Sequence, residues 1–375
     1  MKESPVYLPG LNGLRAIAAL LVVISHISIK EIGDFGLPYL IVLPMAGYGV
    51  TLFFVISGFL ITYLLLQEKE LKQTIDIKKF YMRRILRIWP IYYLFLIICV
   101  IVFFILGKSK DICIQDMWFY VFFAANIPFV FQQGILILFH YWSIGVEEQF
   151  YLIWPWIVKK SKTTLFKTAL SIFSILFLLK VVFWLVLGSK SFEYRFINVT
   201  RFHCMMIGVM GAIMYFEKQI LFLNFFSNTV MQFISLLLFL LLGFQIIHIP
   251  ALIVNEVIAF VSLSMILGQV TIQNRILNLE NKLFDFIGKI SYGIYVIHPL
   301  IIFLLSRLFI NLEISTGIKY FFVYFSVISL TLFFAWVSYT YLEIPFLRLK
   351  KKFSIIQSSN TMLFSLETKN NPYKK

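Results

Sequence analysis

The chain has 375 residues, 60% hydrophobic and 14% charged, with a mean hydropathy of +0.89 and a formal net charge of +15. Those proportions exclude a soluble domain of any size and place the chain in a bilayer, crossed by apolar stretches of about twenty residues. The basic residues gather in alternate loops, as the positive-inside rule requires, so membrane topology explains the charge and nucleic acid is excluded as a partner. The cysteines are Cys99, Cys113 and Cys204. Two of them fall in apolar spans, which argues against a disulfide framework and a thiolate metal site, and no metal is expected.

The first apolar run, LNGLRAIAALLVVISHIS, carries Arg15 and His26. Eleven residues at about 100° each bring both side chains to one helix face, about 16 Å apart along the axis. Arg15 either marks the cytoplasmic end of a span or shares a polar site with His26, because an ionisable group in a membrane helix costs about 2.5 kcal/mol or more. With Arg15 inside the apolar region and no small-residue cleavage site, the segment reads as a retained anchor.

Spans are expected at 13–31, 45–67, 88–107, 143–158, 163–187, 197–216, 224–246, 251–270, 284–306 and 320–342. The expected fold is therefore all-α and integral to the membrane: a bundle of about ten transmembrane helices with both termini cytoplasmic. The segment 116–133 is read as re-entrant or interfacial, since Asn126 and Pro128 interrupt it and a crossing would put the basic run at 159–162 outside. Residues 1–346 form the membrane domain and 347–375 a basic, disordered cytoplasmic tail.

Polar islands follow in chain order. Ser57 and Gly58 form a small pair in the second span, suited to helix packing or to a close ligand. In IKKFYMRRILRIWP a helix would set Lys79, Arg83, Arg84 and Arg87 within an arc of about 140°. Such a surface would hold anionic lipid headgroups or a polyphosphorylated ligand. HYWSIGVEEQFY carries His140, Trp142, Ser143, Glu147 and Glu148. Adjacent carboxylates cannot share a face, so one is expected in the core and the other capping the helix start. Arg201 and His203, then Ser291, Tyr292, Tyr295 and His298, then Glu343 and Pro345 complete the set. His298 before Pro299 also suits a histidine bonding a freed carbonyl, and Glu343 an interfacial charge.

In this order the motifs resemble acyltransferase family 3, the integral-membrane O-acetylases of O-antigen, exopolysaccharide and peptidoglycan. The resemblance rests on the Arg15-x10-His26 spacing, SGF at 57–59, the arginine cluster ending RIWP, WSIGVEEQFY at 142–151, ISYGIYVIHP and the late Glu-x-Pro, and it spans Leu11 to Pro345. It implies a membrane-bound O-acyltransferase, transferring groups other than amino-acyl groups. The donor would be cytoplasmic acetyl-CoA or another acyl-CoA, the acceptor a hydroxyl of a cell-envelope glycan or lipid-linked saccharide, the location the cytoplasmic (inner) membrane. In that scheme His26 is the base, with Glu147 or Glu148 as its carboxylate partner and Arg15 pairing a carboxylate or steering the donor. Arg83, Arg84, Arg87 and Ser57 would bind the coenzyme, and Trp142, Arg201, His298 and Glu343 are further candidates. Ile144, Gly145 and His203 depart locally from the family pattern.

Several relatives carry an extracytoplasmic hydrolase-like domain after the membrane part. None is expected within this chain, leaving transfer to the membrane domain or to a separate periplasmic or extracellular transferase. A transporter or flippase for a lipid-linked saccharide would also need intramembrane charge, but it predicts internal repeats that the sequence lacks.

Overall fold

Helix starts in this protein follow its capping residues. Asp76 accepts the Lys79 backbone N–H at 3.0 Å and opens a 29-residue helix, and that bond, with the Lys79 ammonium, holds its carboxyl below the usual range. Ser191, Asn228 and Asn281 cap three later helices in the same way. The computed structural model describes residues 6–38, 44–107, 114–161, 164–272 and 275–356. Cys113, Lys108, Lys110, Lys162 and residues 357–375 of the expected tail lie outside the described residues.

Among the described residues there is no strand. The helices are α1 (Leu11–Ile27), α2 (Met45–Lys72), α3 (Ile77–Ile105), α4 (Ile114–Val121), α5 (Asn126–Val130), α6 (Tyr141–Lys160), α7 (Leu165–Leu187), α8 (Phe192–Thr200) and α9 (Phe202–Phe216). They continue with α10 (Ile220–Ser227), α11 (Thr229–Gly243), α12 (Val254–Val270), α13 (Lys282–Lys289), α14 (Ser291–Phe309), α15 (Thr316–Ser338) and α16 (Ile344–Lys350).

The expected count of ten spans is not met by length and composition. Among the described residues, six helical stretches are long and apolar enough to cross a bilayer, or seven if α10 and α11, bent by 48°, count as one. The shortfall has a physical cause. α1 and α12 have 17 residues each, about 26 Å of helix, and α6 carries two glutamates and two lysines. The segment 116–133 folds as α4 and α5, broken at Phe123 with φ +55°, and neither piece is long enough to cross. The basic run ahead of the third span is itself helical, and the tail boundary moves too, because residues 347–353 continue as helix.

α1, α2, α9, α12 and α14 form the buried centre, while α7 and much of α3 and α15 turn apolar side chains outward. α2 and α9 approach closely through glycine. A Cβ at Gly58 would overlap the Met205 carbonyl oxygen, and one at Gly208 the Val55 carbonyl oxygen. Small residues at such crossings let dispersion contacts form along two backbones, where lipid offers no hydrophobic drive.

Candidate active site

The Arg15 face of α1 borders two adjoining spaces. The deeper, with about 710 Å³ of empty volume, is lined by Arg15, Ser57, Arg84, Arg87, Ser143, Glu147, Tyr151, Tyr292 and Tyr295. The outer, about 1150 Å³, is lined by Asn12, Arg15, Arg84, Arg87, Lys282, Asp285 and Lys350 among others. Arg15, Arg84 and Arg87 belong to both, so these arginines form a cationic neck between a mouth and an inner chamber. Lys350 lines the mouth beside all three. Like charges gathered around one opening repel one another, so an anion placed there would be favoured.

The arginine trio expected at the donor site divides. Arg84 is buried, with its guanidinium over the Tyr151 and Phe80 rings, and with Arg87 it faces the cavities. Arg83 turns away. Its Nη2 donates to Glu68 Oε2 at 2.7 Å and its Nη1 to the Phe353 carbonyl at 3.0 Å, which ties α3 to α2 and to the segment after α16. Lys350, assigned from sequence to the tail, takes a place at the mouth in its stead.

His26 occupies the last turn of α1 and is 6% exposed. Its partner is not a glutamate. Nδ1 lies 2.7 Å from His298 Nε2, and His298 Nδ1 lies 3.1 Å from the Ile294 carbonyl oxygen. A carbonyl can only accept, so His298 donates from Nδ1 and presents a lone pair at Nε2; His26 must then donate from Nδ1 and keep its own lone pair at Nε2. The bond to a helix carbonyl expected of His298 is thus formed, and the same ring also fixes the tautomer of His26. Phe139 packs on the His26 ring, and His140 packs on His298 and Tyr295.

Both glutamates lie in the second turn of α6, whose first turn holds no acidic residue, so neither caps it. Glu147 lines the inner chamber, accepting the Ser57 hydroxyl at 2.8 Å and the Tyr151 hydroxyl at 3.3 Å, and lies within electrostatic reach of Arg15. Glu148 points elsewhere, with Oε1 buried and unpartnered. Glu343 sits in a π-helical turn, Tyr339–Glu343, buried beside Gly293 and within electrostatic reach of Arg87.

Trp142 and Arg201 meet each other rather than the chamber. The Arg201 guanidinium sits 5.6 Å from the Trp142 ring centroid and donates to the Gly47 carbonyl and the Thr51 hydroxyl, both at 2.8 Å. With φ +48°, Arg201 makes the break between α8 and α9 and staples it to α2.

Sequence reasoning named His203 but missed the partners it meets, Lys180 and Glu256. Lys180, wholly buried on α7, and His203 converge on Glu256 of α12 at 2.8 and 2.7 Å. Their signal was a single lysine inside FLLKVVFW, matched by a glutamate near the start of another span. Tyr295, one of the polar residues named from sequence, bonds Ser143 through its hydroxyl at 2.6 Å and so links the chamber wall to the histidine cluster. Among the described residues no group of three or more His, Cys, Asp or Glu could hold a metal ion.

Comparison with known proteins adds to this geometry. No solved structure matches the chain. O-acetyltransferase OatA of Staphylococcus aureus strain NCTC 8325 / PS 47 is 30% identical over 378 residues, and so is that of strain COL; in each case the match covers 91% of this chain and 57% of the relative. The chain thus spans a little over half the length of those relatives. The family profile described as Acyltransferase domain matches residues 8–340, almost the whole of the described helical bundle, and with it the chain belongs to acyltransferase family 3.

Proposed function

We propose that the chain is a multi-pass cytoplasmic-membrane enzyme that moves an acetyl group from cytoplasmic acetyl-CoA to a hydroxyl of a cell-envelope glycan or lipid-linked saccharide. The observation that carries this reading is the arginine neck opening on a chamber whose far wall leads, through Tyr295, to the His26–His298 pair. Arg15, Arg84, Arg87 and Lys350 suit the phosphates of the coenzyme, with arginine supplying bidentate contacts. The chamber beyond suits the uncharged arm that carries the thioester, with Ser57 held in place by Glu147.

In this mechanism His26 Nε2 accepts the proton of the acceptor hydroxyl as its oxygen attacks the thioester carbonyl carbon. The C–S bond breaks, its electron pair leaves with sulfur, and the proton passes from His26 to that sulfur. His298 holds the imidazole in the tautomer this requires, a role that an aligned hydrogen-bond acceptor fills whether or not it is charged. The topology follows the positive-inside rule, with the Arg15 end of α1 facing the cytoplasm and its His26 end facing out.

The test uses purified full-length protein in lipid nanodiscs with acetyl-CoA labelled in the acetyl group. Thiol release and label appearing on glycan are expected from the wild type. The His26→Ala variant should lose about 10²-fold or more while remaining folded, the usual scale for a positioned base. Absence of thiol release from folded wild type rejects the donor, and full activity in the variant removes His26 from the mechanism.

A further inference from the structure

The inner chamber ends in aromatic rings. On α2, Leu64 and Leu60 border the mouth and Ser57 the chamber, and Phe54, Phe53 and Val50 continue the same stripe at spacings of three and four residues. From Leu60 to Phe53 is about 10 Å of helix. Along that path the lining changes from cationic and hydroxyl-bearing groups to apolar side chains. We infer that Phe53 and Phe54 are the length ruler for the donor: they form the wall that admits an acetyl group and turns longer acyl chains away. The inference rests on the acyl-transfer reading above.

The wall is stiff because each ring is backed by another group. Phe53 meets the Tyr295 ring edge-on at 6.0 Å, so α2 and α14 close the chamber together. Phe54, 1% exposed, stands perpendicular to Trp142 with ring centroids 5.9 Å apart. Trp142 in turn stacks on Phe129 at 5.1 Å and meets the Arg201 guanidinium, which is hydrogen-bonded to Gly47 and Thr51 one to two turns earlier on α2. Phe54 cannot retreat unless Trp142 moves, and Trp142 cannot move without disturbing a buried cation. Trp142 and Arg201 do not line the chamber themselves, and this backing is the role the geometry gives them.

Depth agrees with a ruler. α2 runs antiparallel to α1, since Arg15 shares the mouth with Leu60 and Leu64 whereas the later residues Ala18 and Val22 meet Gly49. An added Cβ at Gly49, beside Val50, would lie 2.7 Å from the Ala18 carbonyl oxygen and 3.1 Å from Val22 Cγ2. His26 follows Val22 by four residues, about 6 Å of helix. An acyl carbonyl brought to this end of the chamber is thus about one turn short of the base, and the atoms beyond the carbonyl are the ones that meet the rings. A methyl group is the smallest carbon substituent a carbonyl can carry there. Each further methylene must press on a backed ring, at a cost of about tenfold or more in kcat/KM.

The experiment measures thiol release from acetyl-CoA and butyryl-CoA by purified full-length protein in lipid nanodiscs. Wild type is compared with Phe53→Ala, Phe54→Ala and Trp142→Leu, and with Phe103→Ala, which removes a buried ring of α3 that does not line the chamber. The readout is the ratio of kcat/KM for the two donors, which does not depend on the fraction of protein that is folded. Wild type should favour acetyl-CoA by about 10²-fold or more, two methylenes at about tenfold each. Phe53→Ala and Phe54→Ala should each raise the relative use of butyryl-CoA about tenfold, Trp142→Leu should raise it by less, and Phe103→Ala should keep the wild-type ratio. Equal use of both donors by wild type would overturn the ruler. So would a wild-type ratio in Phe53→Ala and Phe54→Ala alike, or an equal shift in Phe103→Ala, the sign of general loosening. Should wild type release thiol from neither donor, the donor assignment falls instead. The ruler is then decided by the ester-linked acyl groups that mild base releases from envelopes of expressing cells grown with butyrate: butyrate beside acetate in Phe53→Ala but not in wild type supports it, and acetate alone in both overturns it.

Discussion

At the scale of single residues, the tautomer chain from Ile294 through His298 to His26 would, in the proposed mechanism, separate positioning from proton transfer. His298→Ala removes the acceptor that orients His26 but leaves the base in place. The expected outcome is a fall in kcat of about 10²-fold with little change in KM for acetyl-CoA, and partial recovery in His298→Gln, whose carbonyl can accept the Nδ1 hydrogen. Steady-state kinetics of the three proteins at matched detergent or nanodisc conditions check it. The arginines give a contrasting pair. Arg84→Ala should raise KM for the donor, by a factor that shrinks as salt is added, because salt screens the phosphate contact that the wild type keeps. Arg83→Ala should leave donor KM alone and lower stability by about 3 kcal/mol, since Glu68, 1% exposed, would lose its cation. Thermal denaturation alongside kinetics distinguishes the two, and equal effects on KM would contradict the division of the cluster.

At the scale of helices, the active site is assembled by close crossings. Ser57 can meet Glu147 because its neighbour Gly58 lets α9 lie directly on α2, as Gly208 does from the other side. Gly208→Val should push these helices apart and cost about 1–3 kcal/mol, seen as a lower melting temperature and an earlier loss of the monodisperse peak on gel filtration. A variant as stable as wild type would show that the crossing can shift without loss. The buried ion cluster of Lys180, Glu256 and His203 does comparable work farther out, joining α7, α12 and α9. Much of this was legible in advance: Arg15, His26, Ser57, the arginine run and Glu147 all announced themselves as polar groups in apolar surroundings. The partners did not. Periodicity fixes which way a side chain leaves its own helix, but the pairing of His26 with His298, 272 residues away, depends on how α1 meets α14. The same holds for Arg83, whose departure from its neighbours was decided by Glu68 on another helix.

At the scale of the whole molecule, the all-helical architecture followed from composition, while the number of crossings did not follow from hydropathy. α1 and α6, which carry the site, are among the helices that fall short of a clear membrane span, α1 by length and α6 with its charged residues. The candidate site and span recognition pull in opposite directions here, since each polar group on these helices subtracts from the apolar signal. The loop from 28 to 38 and the helix reaching Lys350 were invisible for another reason. Their order comes from tertiary contacts with α14 and α3, not from any local pattern.

The rings around His26 have a further consequence for the cell. His26 and His298 pack with the Phe139 ring near the end of α1 opposite Arg15, and in the proposed topology these rings would act as a plug in the bilayer barrier. An enzyme that must be reached from both faces runs the risk of becoming a leak for protons. Replacing the plug with small side chains, His26→Gly with Phe139→Ala, should collapse a pH gradient across proteoliposomes faster than His26→Ala alone, as followed by an entrapped pH-sensitive dye. A gradient held as well as by wild type would mean that the permeability barrier lies in other residues. On this view the bulky rings around the base serve energy conservation as much as acyl transfer, and a cell expressing a variant without them would show a depressed membrane potential before any change in its envelope.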